Sequence, residues 1–394
     1  MSKKSVKDID IKGKRVLVRV DFNVPLDKDL NITDDNRIQK ALDTIKYITE
    51  SGGKLILMSH LGRPKGEVKP EMSLKPVAKH LSKLLGKEVK MMNDCIGDEV
   101  TKAVSSMSEG DIILLENLRF HKEETKNDPE FAKKLAALGD AFVNDAFGTC
   151  HRAHASTEGI THHLEAVSGF LVQKEIEYFQ GVLASPKKPF IFILGGAKVS
   201  DKIPVIENMM EKSDTILIGG AMAYTFMKAK GIEVGSSRLE EDMLDTVSKI
   251  FEKAKDLGVE ILLPIDHVVT DNFETALNVK QTQDEKIEKG WMGVDIGPKT
   301  INLFCGKIKD AGTIVWNGPV GVFEQDKFAA GTKALAEQIA ASSVTSVIGG
   351  GDTAAAVVKF SVADKMSHIS TGGGASLESL EGKVLPGIAA LSDK

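Results

Sequence analysis

Along this chain, short apolar runs alternate with longer stretches whose apolar residues recur at helical spacing. Runs without a polar interruption, bounded by glycine, proline or charge, read as strands buried on both faces. In the first half the strand candidates are 14–20, which alternates, then 55–58, 89–92, 111–115 and 141–143. Between them, Ile38, Ala41, Leu42, Ile45 and Ile48 follow Thr33-Asp34-Asp35, a capped start to an amphipathic helix. Further helices are expected around 73–85, near 97–107, and from Asp128-Pro129 to about Leu138. The second half repeats the rhythm with strand candidates at 190–194, 215–218, 261–264, 313–316 and 346–348, and a short one at 368–370. Such alternation predicts α/β architecture, with doubly wound parallel sheets. The stretch 171–184 reads as one helix, and Ser185-Pro186-Lys187-Lys188-Pro189 punctuates it. A boundary there leaves a first domain of 1–170, a linker helix over 171–186 and a second domain from 187.

Sheets of this kind bind ligands beyond the carboxyl ends of their strands. In the first half those ends carry Asp21, Asn23, His60, Arg63, Arg119 and Arg152, with Arg37 near a helix start. Each alone reads as a solvated surface group. Together they make a basic basin, and arginine forks suit carboxylate and phosphate. The second half punctuates its strands with glycine instead: Gly219-Gly220, Gly318-Pro319-Val320-Gly321, Gly349-Gly350-Gly351-Asp352-Thr353 and Gly372-Gly373-Gly374. After the strand 190–194 come Gly195-Gly196, then Lys198 and Lys202 four apart, with Ser200, Asp201 and Pro204 suited to a helix start. Strand, glycine turn and two ammoniums at a helix N-terminus suit a phosphate. The plainer reading is a strand-to-helix turn with two solvated lysines. Asp352 is placed either to hold Mg²⁺ beside phosphate oxygens or to cap a helix over 353–359, and the two roles are compatible.

A length of 394 residues exceeds a single core and supports the two-domain division. With 42% hydrophobic and 27% charged residues the composition is that of a soluble globular protein. A formal charge of -5 argues against nucleic acid or an anionic membrane as partner. Cys95, Cys150 and Cys305 form no CxxC pair, which fits a reducing compartment rather than a disulfide framework. The N-terminal segment lacks a signal-peptide core, and no apolar run approaches membrane-spanning length, so the expected location is the cytoplasm. The P-loop, dinucleotide, zincin and nucleophile-elbow patterns are all missing. His151, His154, His162 and His163 lack the cysteines or carboxylates that would make them a metal site. One half for a nucleotide and one for a small phosphorylated acid suggests phosphoryl transfer between them.

The segments Asp21-Phe-Asn-Val-Pro25, Ser59-His-Leu-Gly-Arg-Pro64, Glu116-Asn-Leu-Arg-Phe120, Asn144-Asp-Ala-Phe-Gly148, His151-Arg-Ala-His154, Gly195-Gly-Ala-Lys-Val199, Trp316-Asn-Gly-Pro319 and Gly350-Gly-Asp-Thr353 resemble phosphoglycerate kinases. They run in the family's order across nearly the whole chain, at the length of the bacterial form. The resemblance implies two Rossmann-like domains, with 187–376 binding nucleotide and 377–394 packing back on the first domain. It implies that Asp21, Asn23, Arg37, His60, Arg63, Arg119 and Arg152 hold 3-phosphoglycerate. Lys198 and Lys202 would meet the transferring phosphate, Lys202 also the nucleotide, with the amides of Gly373 and Gly374. Gly219, Gly220, Gly293, Asn317 and Glu324 would form the adenosine pocket, and Gly350, Gly351, Asp352 and Thr353 the phosphate and magnesium turn. Implied partners are 3-phosphoglycerate or 1,3-bisphosphoglycerate and ATP or ADP with Mg²⁺, bound by a monomer. The rival readings are a nicotinamide dehydrogenase, which the missing glycine fingerprint disfavours, and a non-enzymatic bilobal binder of a phosphorylated metabolite.

Overall fold

A computed structural model describes residues 2–394. The chain divides into two units, Met1–Glu177 with Val384–Lys394, and Tyr178–Lys383. In the first unit, β1 (Arg15–Val20), β2 (Lys54–Met58), β3 (Lys90–Met91), β4 (Ile112–Leu114), β5 (Ala141–Asp145) and β6 (Ala166–Ser168) form one sheet. Its order is β3-β4-β2-β1-β5-β6, and every pairing is parallel. Val16, Val18 and Val20 of β1 pack with Leu55 and Leu57 of β2 against Ile38, Ile45 and Ile48 of the helix Asn36–Glu50. That helix buries the stripe its spacing predicts. Its cap differs, since the Asp35 carboxylate accepts from Gln39 and lies 2.7 Å from His80 Nε2 instead of bonding the backbone.

The second unit contains β7 (Phe190–Leu194), β8 (Thr215–Ile218), β9 (Glu260–Leu262), β10 (His267–Thr270), β11 (Val279–Gln281), β12 (Met292–Ile296), β13 (Thr313–Asn317), β14 (Thr345–Gly349) and β15 (His368–Ile369). Six of them form a parallel sheet in the order β15-β14-β13-β7-β8-β9. The other three make an antiparallel sheet, β11-β10-β12, which the apolar pattern does not predict. Ile191, Ile193, Ile314 and Trp316 from the large sheet meet Phe304, Leu335 and Ile339 from its helices. Both parallel sheets are flanked by helices, the α/β class expected.

Two expectations need correcting. The single helix over 171–184 is an α-helix, Phe170–Ile176, that continues as a π-helical turn, Glu177–Val182. The wider turn sets Tyr178 flat on His368 at 4.5 Å, with Phe179 edge-on to the same ring. The division between units falls inside this element, and the returning segment begins at Val384, later than 377. Residues 374–380 stay in the second unit as the helix Gly374–Leu380, where Leu380 O accepts from Asn208 Nδ2 at 2.7 Å. Beyond it, Leu385, Ile388 and Leu391 are buried, and Asn144 Nδ2 donates to Gly387 O at 3.1 Å in the first unit.

Candidate functional site

Strand order decides where each sheet opens. In the first unit the chain leaves β1 toward β2 on one side and later places β5 and β6 on the other. Such a switch leaves a crevice beyond the strand ends, because successive crossovers diverge. Asp21 and Asn23 lie there, just past β1. Asp21 Oδ2 receives Arg37 Nη1 at 2.7 Å, which fixes an otherwise exposed guanidinium at the rim. Asn23 Oδ1 accepts from Gly62 N at 2.8 Å, and Arg119 Nη1 donates to Gly62 O at 2.9 Å. The loop after β2 is therefore gripped from two sides. Arg119 Nε is buried without a hydrogen-bond partner, a donor left over for a ligand. Burial and neighbouring Arg19 hold the Arg119 pKa down, to about 10. Arg63 and Arg152 are exposed, Arg152 with Nε 3.1 Å from His151 Nε2.

His60 is 4% exposed and has Nδ1 3.2 Å from Arg19 Nη2. Arg19, fully buried in β1, also donates Nε to Ser156 Oγ at 2.8 Å and Nη1 to Val20 O. Its charge is balanced by Glu124, equally buried, which accepts from Ser156 Oγ at 2.6 Å and Ser156 N at 3.0 Å. Burial, then Arg19 and Arg119, keep His60 well below the ordinary imidazole range and push His154 down to about 4. The basin thus rests on an Arg19–Ser156–Glu124 network. Sequence reasoning missed it, although an arginine inside the apolar run 16–20 was a visible signal.

The second sheet switches between β7 and β13. Gly195 N donates to Asn317 O at 3.0 Å, and Gly196 N to Pro319 O at 3.0 Å. A Cβ on Gly195 would stand 2.1 Å from Pro319 O, so only glycine lets the two strand ends touch. Lys202 Nζ donates to Asn317 Oδ1 at 2.5 Å, and burial lowers its pKa while Asp201 and Asp352 work against that. Lys198 is exposed. Its loop is held by Glu240, which accepts from Val199 N at 2.5 Å and Ser200 Oγ at 2.6 Å. The helix Gly351–Lys359 begins one residue before Asp352 and is capped by Gly350, so Asp352 is in its first turn and does not cap it. Thr353 Oγ1 accepts from Gly318 N at 2.7 Å, joining that turn to the end of β13.

Beside these strand ends lies a cleft of about 460 Å³, lined by Gly220, Gly293, Glu324 and Asp352 among the predicted residues. Its apolar walls include Tyr224, Phe273, Val294 and Val320. Gly293 is needed because a Cβ there would collide with Tyr224 Oη at 1.9 Å. Gly219 sits behind the wall, against Val320. Asn317 ends β13, Gly350, Gly351 and Thr353 form the turn that opens the helix Gly351–Lys359, and Gly373 caps the helix Gly374–Leu380 with φ 49°. Tyr224 and Phe273 are additions to the predicted set; isolated aromatics gave no pattern to follow.

Arginines and a histidine at one switch point, and a glycine-lined cleft near two lysines at the other, narrow the field, and comparison with known proteins decides it. A model described as phosphoglycerate kinase matches residues 6–383. The chain belongs to the phosphoglycerate kinase family. A phosphoglycerate kinase of Clostridium tetani is 58% identical over 396 residues, covering 100% of this chain and 98% of its own. The cytosolic phosphoglycerate kinase of Nicotiana tabacum is 59% identical, covering 99% and 98%. Among solved structures, phosphoglycerate kinase from Coxiella burnetii superposes with a TM-score of 0.92 at 42% identity, covering 98% of each chain. The Pyrococcus horikoshii phosphoglycerate kinase gives 0.84 at 33%, again over 98% of each. Membership makes this chain a phosphoglycerate kinase enzyme, a nucleotide-binding transferase of glycolysis. Among the described residues, no helix is long and apolar enough to cross a membrane.

Proposed function

We propose that the chain transfers a phosphoryl group reversibly between 1,3-bisphosphoglycerate and ADP, giving 3-phosphoglycerate and ATP. The observation that carries this reading is the division of site types. One sheet's switch point gathers Arg37, Arg119 and His60 around Asp21 and Asn23, and the other joins a glycine-walled cleft to Lys198 and Lys202. In this reading Asp21, Asn23, Arg37, His60, Arg63, Arg119 and Arg152 hold the acid. Gly219, Gly220, Gly293, Asn317 and Glu324 hold the adenosine, with Gly350, Gly351 and Thr353 at the phosphates.

In the ATP-consuming direction the nucleophile is a carboxylate, whose pKa of about 3.5–4 leaves it ionised at neutral pH. No general base is required, so catalysis consists of alignment and charge stabilisation. Arg37, Lys198, Lys202 and the Gly373 and Gly374 amides supply donors for the oxygens of the migrating group. Asp352 fits a magnesium ion carried in with the nucleotide: it is exposed, lines the cleft, and is not tied up in a salt bridge among the described residues. A single carboxylate plus phosphate oxygens is the usual setting for that ion, which neutralises phosphate charge. In-line transfer requires the two units to close on each other, pivoting about Phe170–Val182 and the returning segment. The test is an assay coupled to ADP formation with ATP, Mg²⁺ and 3-phosphoglycerate. ADP release that depends on all three supports the reading, and release independent of 3-phosphoglycerate overturns it.

A further inference from the structure

Asp94, Cys95 and His121 lie in the first unit; none is among the substrate residues above, although His121 follows Arg119 by two positions. Their ligand atoms are all within 4.8 Å of one another. Two separate segments bring them together. Asp94 and Cys95 follow β3, His121 follows the turn after β4, and β3 and β4 are paired neighbours. Glu116 N reaches Asp94 O at 3.4 Å, and the His121 ring rests on Phe131 at 5.2 Å. Asp94 Oδ1 is 2.6 Å from both His121 Nε2 and Cys95 N. The salt-bridge partner of Asp94 among the described residues is His121, with no lysine or arginine competing for it.

We propose that Asp94, Cys95 and His121 bind a divalent cation of the zinc class, with the fourth position open to water. The donor set decides the class. Magnesium and calcium call for oxygens alone, whereas zinc accepts thiolate, imidazole and carboxylate together. A carboxylate and a thiolate supply two negative charges against the ion's two positive ones. Zinc bonds of about 2.0–2.3 Å place tetrahedral ligands farther apart than the present Asp94–His121 contact, so the imidazole must swing outward slightly. On binding, the Cys95 S–H bond breaks and an S–metal bond forms, with the proton released to solvent. The imidazole keeps one proton, on Nδ1, and presents Nε2 to the ion.

Cobalt(II) is the probe, titrated into the full-length protein freed of other metals. One equivalent should produce a thiolate-to-cobalt absorption in the near ultraviolet and the strong visible bands of four-coordinate cobalt. His121→Gln, at a partly exposed position, should weaken binding by at least the roughly 10–100-fold seen when a ligand's outer partner is lost. Cys95→Ala should abolish the thiolate band. Cys305→Ser controls for the less buried thiol and should leave the spectrum unchanged. Absence of the thiolate band in the wild-type protein overturns the proposal. Its persistence in His121→Gln at unaltered affinity, or its loss in Cys305→Ser, does so equally. Near-ultraviolet circular dichroism of each variant separates lost binding from lost folding.

Discussion

Arginine has no hydrogen-bond acceptor, so a contact between Arg19 Nη2 and His60 Nδ1 has only one sense. Nδ1 must accept, and a neutral His60 must carry its proton on Nε2. Burial and the surrounding guanidiniums keep the ring neutral. His60 therefore presents an N–H donor whose supply does not vary with pH. Nitrogen-15 NMR of the ring should show the Nε2–H tautomer and no titration across the ordinary imidazole range. A ring that gains a proton in that interval would refute this. Arg37 is held differently, by one salt bridge at an exposed rim. If it meets charge that develops during transfer, Arg37→Ala should lower kcat by ~10²–10³ and raise KM much less, as for loss of one oxyanion donor. A wild-type kcat removes Arg37 from the transition state.

Elements rather than single residues position the lysines. The loop carrying Lys198 is pinned at both Val199 and Ser200 by the Glu240 carboxylate. Glu240→Ala should loosen it and reduce kcat, while Glu240→Gln, which keeps an acceptor oxygen, should recover part of the loss. Equal damage by both variants in a steady-state assay would mean that charge matters more than the clamp. Where β7 meets β13, Gly195→Ala forces a methyl against Pro319 O and should cost at least about 1–3 kcal/mol, read as a lower thermal midpoint. The same distinction explains what was legible beforehand. Strands such as β1, β2, β7 and β13 are buried on both faces, so their apolar runs announce them. The β10–β12 sheet hides because β11 is largely exposed and β12 buries Asp295. β6 has only three residues, one of them serine. Residues at strand ends, including Asp21, Asn23 and Lys198, could be found by position. Glu124 and Ser156 could not, because their meaning depends on Arg19, more than a hundred residues away.

At the scale of the molecule, the proposed reaction predicts motion. Small-angle scattering with 3-phosphoglycerate and nucleotide together should give a smaller radius of gyration than either alone, and an unchanged radius counts against closure. The returning segment 384–394 adds a structural claim. Leu385, Ile388 and Leu391 are buried, each worth about 1.5–3 kcal/mol. Ending the chain at Lys383 should accordingly lower the melting temperature of the first unit much more than that of the second, as calorimetry would resolve.

That arrangement also bears on how the protein is made. A ribosome delivers residues in order, yet the half of the molecule begun earliest is completed by residues that emerge after the other half. Throughout synthesis of the second unit, the groove around Cys150 and Asn144 must wait for Gly387, with apolar surface uncovered. The nascent first unit is therefore the stage at which a chaperone or a protease has its opportunity.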